Sequence, residues 1–138
     1  MIVVKLESIV LPMTVFLLVG TIDEHDAWAK KRHKHERDPD KPVGAARAYT
    51  CWHSGNGWEG VIWMPYFRRG DAFDAGKLAH EALHIAWRLL DRLGCYDEEA
   101  HCYVVQWIVN IGTLRILRKQ DRSGKVLQVE KTGDTFVN

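Results

Sequence analysis

Cysteine is scarce in this chain, with three in 138 residues: Cys51, Cys95 and Cys102. An odd count without C-x-x-C spacing excludes a disulfide-stapled secreted scaffold and fits free thiols in a reducing, cytoplasmic setting. Net charge is nearly absent as well. Nineteen Lys and Arg against eighteen Asp and Glu leave a formal +1, which argues against a protein whose main business is a polyanion. Long apolar runs are missing too. The longest, Ile9 to Gly20, is broken by Pro12, is too short to span a bilayer, and runs into Gly20-Thr21-Ile22 with no small-x-small cleavage site. It reads as a buried strand, and no membrane attachment is expected. With 46% hydrophobic and 27% charged residues, what remains is one ordinary folded domain, large enough to bury a core without staples.

Histidine is well supplied, and two of the seven stand in His80-Glu81-Ala82-Leu83-His84. On a helix of 3.6 residues per turn, positions four apart project from one face, so both imidazoles can reach one ion. Zinc takes neutral imidazole nitrogen, and a catalytic zinc uses three protein ligands and leaves the fourth position to water. A carboxylate that does not ligate the metal can then take a proton from that water and return it to a leaving group. This is the H-E-x-x-H arrangement of zinc hydrolases. His80 and His84 are the candidate ligands and Glu81 the candidate general base and acid.

Along the chain, residues 2–10 and 13–20 read as two strands of a hairpin. Thr21 or Asp23 caps a helix running through Trp28 to about His35, with acids first and bases last, as the helix dipole favours. The basic run Lys30 to Arg37 invites a nucleic-acid reading, but no aromatic platform is interleaved, and it is expected to be a solvated helix end. Residues 38–44 are a loop by composition. Arg47 to His53 and Trp58 to Met64 are strands joined by Ser54-Gly55-Asn56-Gly57, a good hairpin turn. This strand pair could offer an exposed edge to an extended peptide.

Asp71 and Asp74 can cap the motif helix, which Gly94 stops. Leu78, Ala82, Ile85 and Leu89 line one side of it, with Leu83, Trp87 and Leu90 near them, so that helix is expected to be largely buried. Asp97 caps a second long helix with Ala100, Tyr103, Val104, Trp107, Ile108, Ile111 and Leu114 on its apolar face. The expected domain covers 1–118. A polar tail, 119–138, holds at most a short strand at Val126 to Val129.

A third zinc ligand is sought at the start of that second helix, Asp97-Glu98-Glu99-Ala100-His101-Cys102-Tyr103. Glu99 is the first choice, with His101 the alternative and Glu98 less favoured. Cys102 reads as core. Asp74, Asp91 and Asp97 are the nearby acids that could orient a ligating imidazole, and Tyr103 or His101 could serve a developing oxyanion.

H-E-A-L-H, an amphipathic remainder of helix, then Glu-Glu-Ala followed by Tyr103 resembles small phage and prophage HExxH proteins, and is similar to compact ImmA/IrrE-type metallopeptidases over roughly residues 58–110. The resemblance implies Glu99 as third ligand, although Cys102 and Tyr103 stand where that family has alanine and asparagine. The expectation is an α+β, zincin-like fold: β-hairpins in the N-terminal half packed on a two-helix hairpin that carries the motif. The expected function is zinc-dependent hydrolysis of a peptide bond in a protein substrate, in a phage or bacterial setting. The alternative is a non-catalytic binding or inhibitor protein with structural zinc or no metal.

Overall fold

A computed structural model of the protein describes residues 1–123. The expected short strand at Val126 to Val129 lies outside the described residues. The architecture is α+β: a four-stranded sheet in the order β1-β2-β4-β3 and, among the described residues, three helices.

Strands β1 (Ile2–Glu7) and β2 (Thr14–Val19) form the expected antiparallel hairpin, with Val4 opposite Leu17. The first strand stops at Glu7, short of Val10. The Ser8 hydroxyl accepts from the N–H groups of Val10 (3.2 Å) and Leu11 (3.0 Å), and this local bonding competes with the ladder. Every residue of β2 is buried, because it is a central strand covered on both faces. Strands β3 (Arg47–His53) and β4 (Gly57–Met64) make the second hairpin. The two hairpins join through a parallel pairing of β2 with β4, Phe16 opposite Val61, leaving β1 and β3 as the edges.

The period-two alternation of the strands sends one set of side chains to each face. Val15, Leu17, Val19, Ile62 and Met64 meet the helical hairpin. Phe16, Leu18, Val61 and Trp63 make a smaller cluster with Trp28 of helix α1 (Ile22–His33). Thr21 opens α1 with a capping box: its hydroxyl accepts from the N–H of Glu24 at 3.1 Å, and the Glu24 carboxylate accepts from the Thr21 N–H at 3.0 Å. The helix closes at Lys34, whose φ of 53° is left-handed, so it ends before His35.

Helix α2 (Ala72–Arg92) starts on Asp71, whose carboxylate accepts from the N–H of Asp74 at 3.0 Å. It ends where Gly94, at φ 68°, turns the chain. Helix α3 (Glu98–Ser123) continues beyond Arg118, and the Gln120 side chain, buried, donates to the Phe67 carbonyl at 2.6 Å. Two glycines let the helices approach the sheet. A Cβ at Gly60 of β4 would lie 2.8 Å from Ile85 Cγ2 on α2, and one at Gly112 of α3 would lie 2.5 Å from Leu17 Cδ1 on β2. No helix among the described residues is long and apolar enough to cross a membrane.

The expectation that α2 is largely buried needs correction. Leu78, Ala82, Ile85, Ala86, Leu89 and Leu90 are buried, but Leu83 is 47% exposed and Trp87 57%. A helix lying on a sheet buries one stripe, and these two fall beside it. Cys102 of α3 is likewise exposed and not part of the core.

Candidate metal centre

His80 and His84 fall near the middle of α2, on the side roughly opposite the stripe of Leu78, Ala82, Ile85 and Leu89, counting about 100° per residue. Both are exposed. Their Nε2 atoms are 3.1 Å apart and their rings 4.8 Å between centroids. Two nitrogens at roughly 2.0–2.1 Å from one tetrahedral ion lie about 3.3 Å from each other. At 3.1 Å the two nitrogens lie within hydrogen-bond distance of each other, and a small parting of the rings would bring them to the spacing of a shared zinc; the donor set fits the ion in that respect. Glu81, part-exposed, points to the β3 side of the ridge and lines a shallow hollow of about 440 Å³ with Ala45, Ala46, Phe73, Lys77 and His80. Further along that side, Arg88 donates to the Ala48 carbonyl on the outer edge of β3.

The remaining candidates lie elsewhere. Glu99 is exposed in the first turn of α3, where its N–H is capped by Asp97 Oδ1 at 2.8 Å. His84 sits about 12 Å from the end of α2 at 1.5 Å per residue, and α3 starts only after that end. The two helices run antiparallel, with the Trp87 ring 4.3 Å from that of His101 and tilted at 50° to it. Ala79, Leu83 and Trp87 of α2 line one groove with His101, Val105 and Val109 of α3. Among the described residues, no group of three or more His, Cys, Asp or Glu could hold a metal ion. The structure thus brings His80 and His84 together, and no third His, Cys, Asp or Glu stands grouped with them among the described residues.

Glu98, His101 and Cys102 line an apolar groove of about 790 Å³ between α2 and α3, with Leu83, Trp87 and Val105. The Asp97 carbonyl accepts from His101 Nδ1 at 2.7 Å, which leaves Nε2 as the basic nitrogen. Of the proposed orienting acids, Asp74 is committed to Arg68, which bonds it through its backbone N–H (2.8 Å) and Nε (2.9 Å).

A buried polar cluster sits on the opposite face of the sheet, and the basic run contributes to it. Arg32 and His33 turn inward instead of forming a purely solvated helix end. Arg32 grips the fully buried Glu59 of β4 with two bonds of 2.7 Å, His33 Nε2 adds one at 2.9 Å and Asn56 one at 2.8 Å. Burial would raise the Glu59 carboxyl, but these donors outweigh it and hold it at about 2. Nearby, the buried His25 lies between Asp26 Oδ1 (2.9 Å) and the Tyr49 hydroxyl (2.7 Å). Burial lowers both His25 and His33 below the usual imidazole range. The sequence did carry a signal for this cluster: Glu59 shares the strand parity of Val61 and Trp63, so a carboxylate stands at a core position and must find partners.

Comparison with known proteins finds no matching family model, no matching curated protein and no matching solved structure.

Proposed function

We propose that the chain is a zinc-dependent metallopeptidase-like protein of zincin type, hydrolysing a peptide bond in a protein substrate in a phage or bacterial setting. The observation that supports this is the 3.1 Å spacing of His80 and His84 Nε2 with Glu81 between them on the same exposed helix. Zinc held by the two imidazoles would supply a Lewis acid for an incoming water and a substrate carbonyl. Glu81 would take the proton from the water and pass it to the leaving amine. The outer edge of β3 pairs with no other strand and runs beside the Glu81 side of α2, so an extended peptide that displaced Arg88 from the Ala48 carbonyl could lie there as a further strand. Glu99 would complete the ligand set only if the start of α3 moved toward the ridge; otherwise water fills the remaining positions.

A second reading is favoured by one specific observation: two imidazoles facing solvent, with no third donor grouped with them among the described residues, make a site that another protein could complete. In that reading the chain is a non-catalytic binder and zinc joins it to its partner. The test is cleavage of an unfolded protein mixture by the zinc-loaded chain, read by mass spectrometry of new termini. Hydrolysis that falls about 10²-fold or more in Glu81→Gln supports the peptidase. No new termini with wild type, or equal cleavage by Glu81→Gln, contradicts it.

A further inference from the structure

The outer ridge of α2 has the same spacing read from either end. Phe73, Lys77, His80, His84, Trp87 and Asp91 follow one another at alternating steps of four and three, the spacing of a seam that faces another helix. The set is symmetric about Ala82, the middle residue of the 21 in the helix. The ridge faces solvent: Phe73 is 81% exposed, Trp87 57%, and both histidines are exposed. We propose that this ridge pairs with the same ridge of a second copy of the chain, and that when zinc is scarcer than chains the two copies share one ion through four imidazoles. The inference rests on the reading of His80 and His84 as zinc ligands and names the partner that completes them.

A two-fold axis at the level of Ala82 runs the two α2 helices antiparallel. It sets His80 beside His84 of the second copy, Lys77 beside Trp87 and Phe73 beside Asp91, and each pairing occurs twice. Within one chain no third donor is grouped with the two imidazoles among the described residues. Across the axis two donors become four, the number that closes a tetrahedral zinc site.

Gly76 supports the same register. It lies inside α2, where glycine is a poorer helix former than alanine, and a Cβ built there meets nothing among the described residues within 4 Å. Packing inside the chain therefore does not ask for glycine at this position. In the pair, Gly76 falls next to Trp87 of the second copy, and its bare backbone leaves room for that indole. The charges agree with this register. Lys77 comes within one turn of Asp91 of the second copy and can lay its ammonium against Trp87, while Arg88 is turned aside to the Ala48 carbonyl. One helix of about 32 Å from each copy makes a contact at the small end of specific interfaces. The seam alone thus holds the copies weakly, and the shared ion decides the state. When ions are scarce, the second pair of imidazoles displaces water and closes the site; at one ion per chain the site keeps its open positions.

The test is analytical ultracentrifugation of the full chain at micromolar concentration, with zinc uptake measured on the same samples. The chain in EDTA should sediment at 15.9 kDa, and zinc added at one ion per two chains should carry it to twice that mass. Gly76→Gln, an exposed change to a better helix former, should still take up zinc yet remain a single chain, because its side chain fills the seam. Trp87→Ala should weaken pairing at least about tenfold. Zinc taken up with the mass unchanged overturns the pairing and leaves the zinc reading of the ridge standing; no zinc taken up overturns both. A doubled mass in EDTA, or pairing by Gly76→Gln equal to that of wild type, also overturns the proposal.

Discussion

At Gly60 the absence of a side chain decides how closely α2 can lie on the sheet. A methyl there would meet Ile85 Cγ2 at 2.8 Å and Leu89 Cδ1 at 3.2 Å, both buried on a helix that cannot withdraw without opening the core. Gly60→Ala should therefore lose about 1–3 kcal/mol, despite alanine's better backbone entropy. Urea denaturation checks this, and an unchanged midpoint would mean that α2 packs less closely than described. The pairing of His80 and His84 was legible at this scale because its information is a spacing of four on a helix. The third ligand was not, because it depends on how far α2 runs before the chain turns. At 1.5 Å per residue α2 runs about 12 Å past His84 before the chain turns toward Glu99.

Between elements, the tie that joins α1 to β4 is electrostatic. Glu59 is buried without exposure, and Arg32 supplies its two shortest bonds. Arg32→Met should cost about 3 kcal/mol or more, since a buried carboxylate is left partly unpaired. Lys31→Met, one residue away on the exposed side, should stay within about 0.5 kcal/mol. Equal effects in chemical denaturation would contradict the tie. Strand and helix positions were largely readable from apolar period and turn residues, including both hairpins and the cap at Thr21. The parallel β2–β4 pairing was not, since it joins segments that no local turn connects. For the same reason the inward turn of Arg32 and His33 stayed hidden: a helix end rich in bases looks solvated until a buried acid is placed beneath it.

For the whole molecule, pH should act in two stages. His25 and His33 have folded pKa values below the ordinary 6.5 because burial disfavours their charged forms. As pH falls through 6.5 the unfolded chain takes up protons first, so their contribution is complete above 6.5 and is lost progressively below it. Glu59 has the opposite chemistry and the same direction. Its carboxyl is held at about 2 against an ordinary 4.5, so its contribution is complete above 4.5 and is lost as pH falls from there toward 2. Thermal midpoints recorded between pH 8 and pH 3 should decline below 6.5 and more steeply below 4.5. A flat profile from 7 to 5 would contradict neutral buried histidines.

The central claim is that His80 and His84 share one zinc ion and that Glu81 does not ligate it. Elemental analysis of the purified chain tests it most directly, with His80→Ala and Glu81→Gln prepared in parallel. The account predicts that His80→Ala contains one equivalent of zinc less than wild type, while Glu81→Gln retains the wild-type amount. Equal zinc in wild type and His80→Ala, after exposure to zinc at neutral pH, would contradict it.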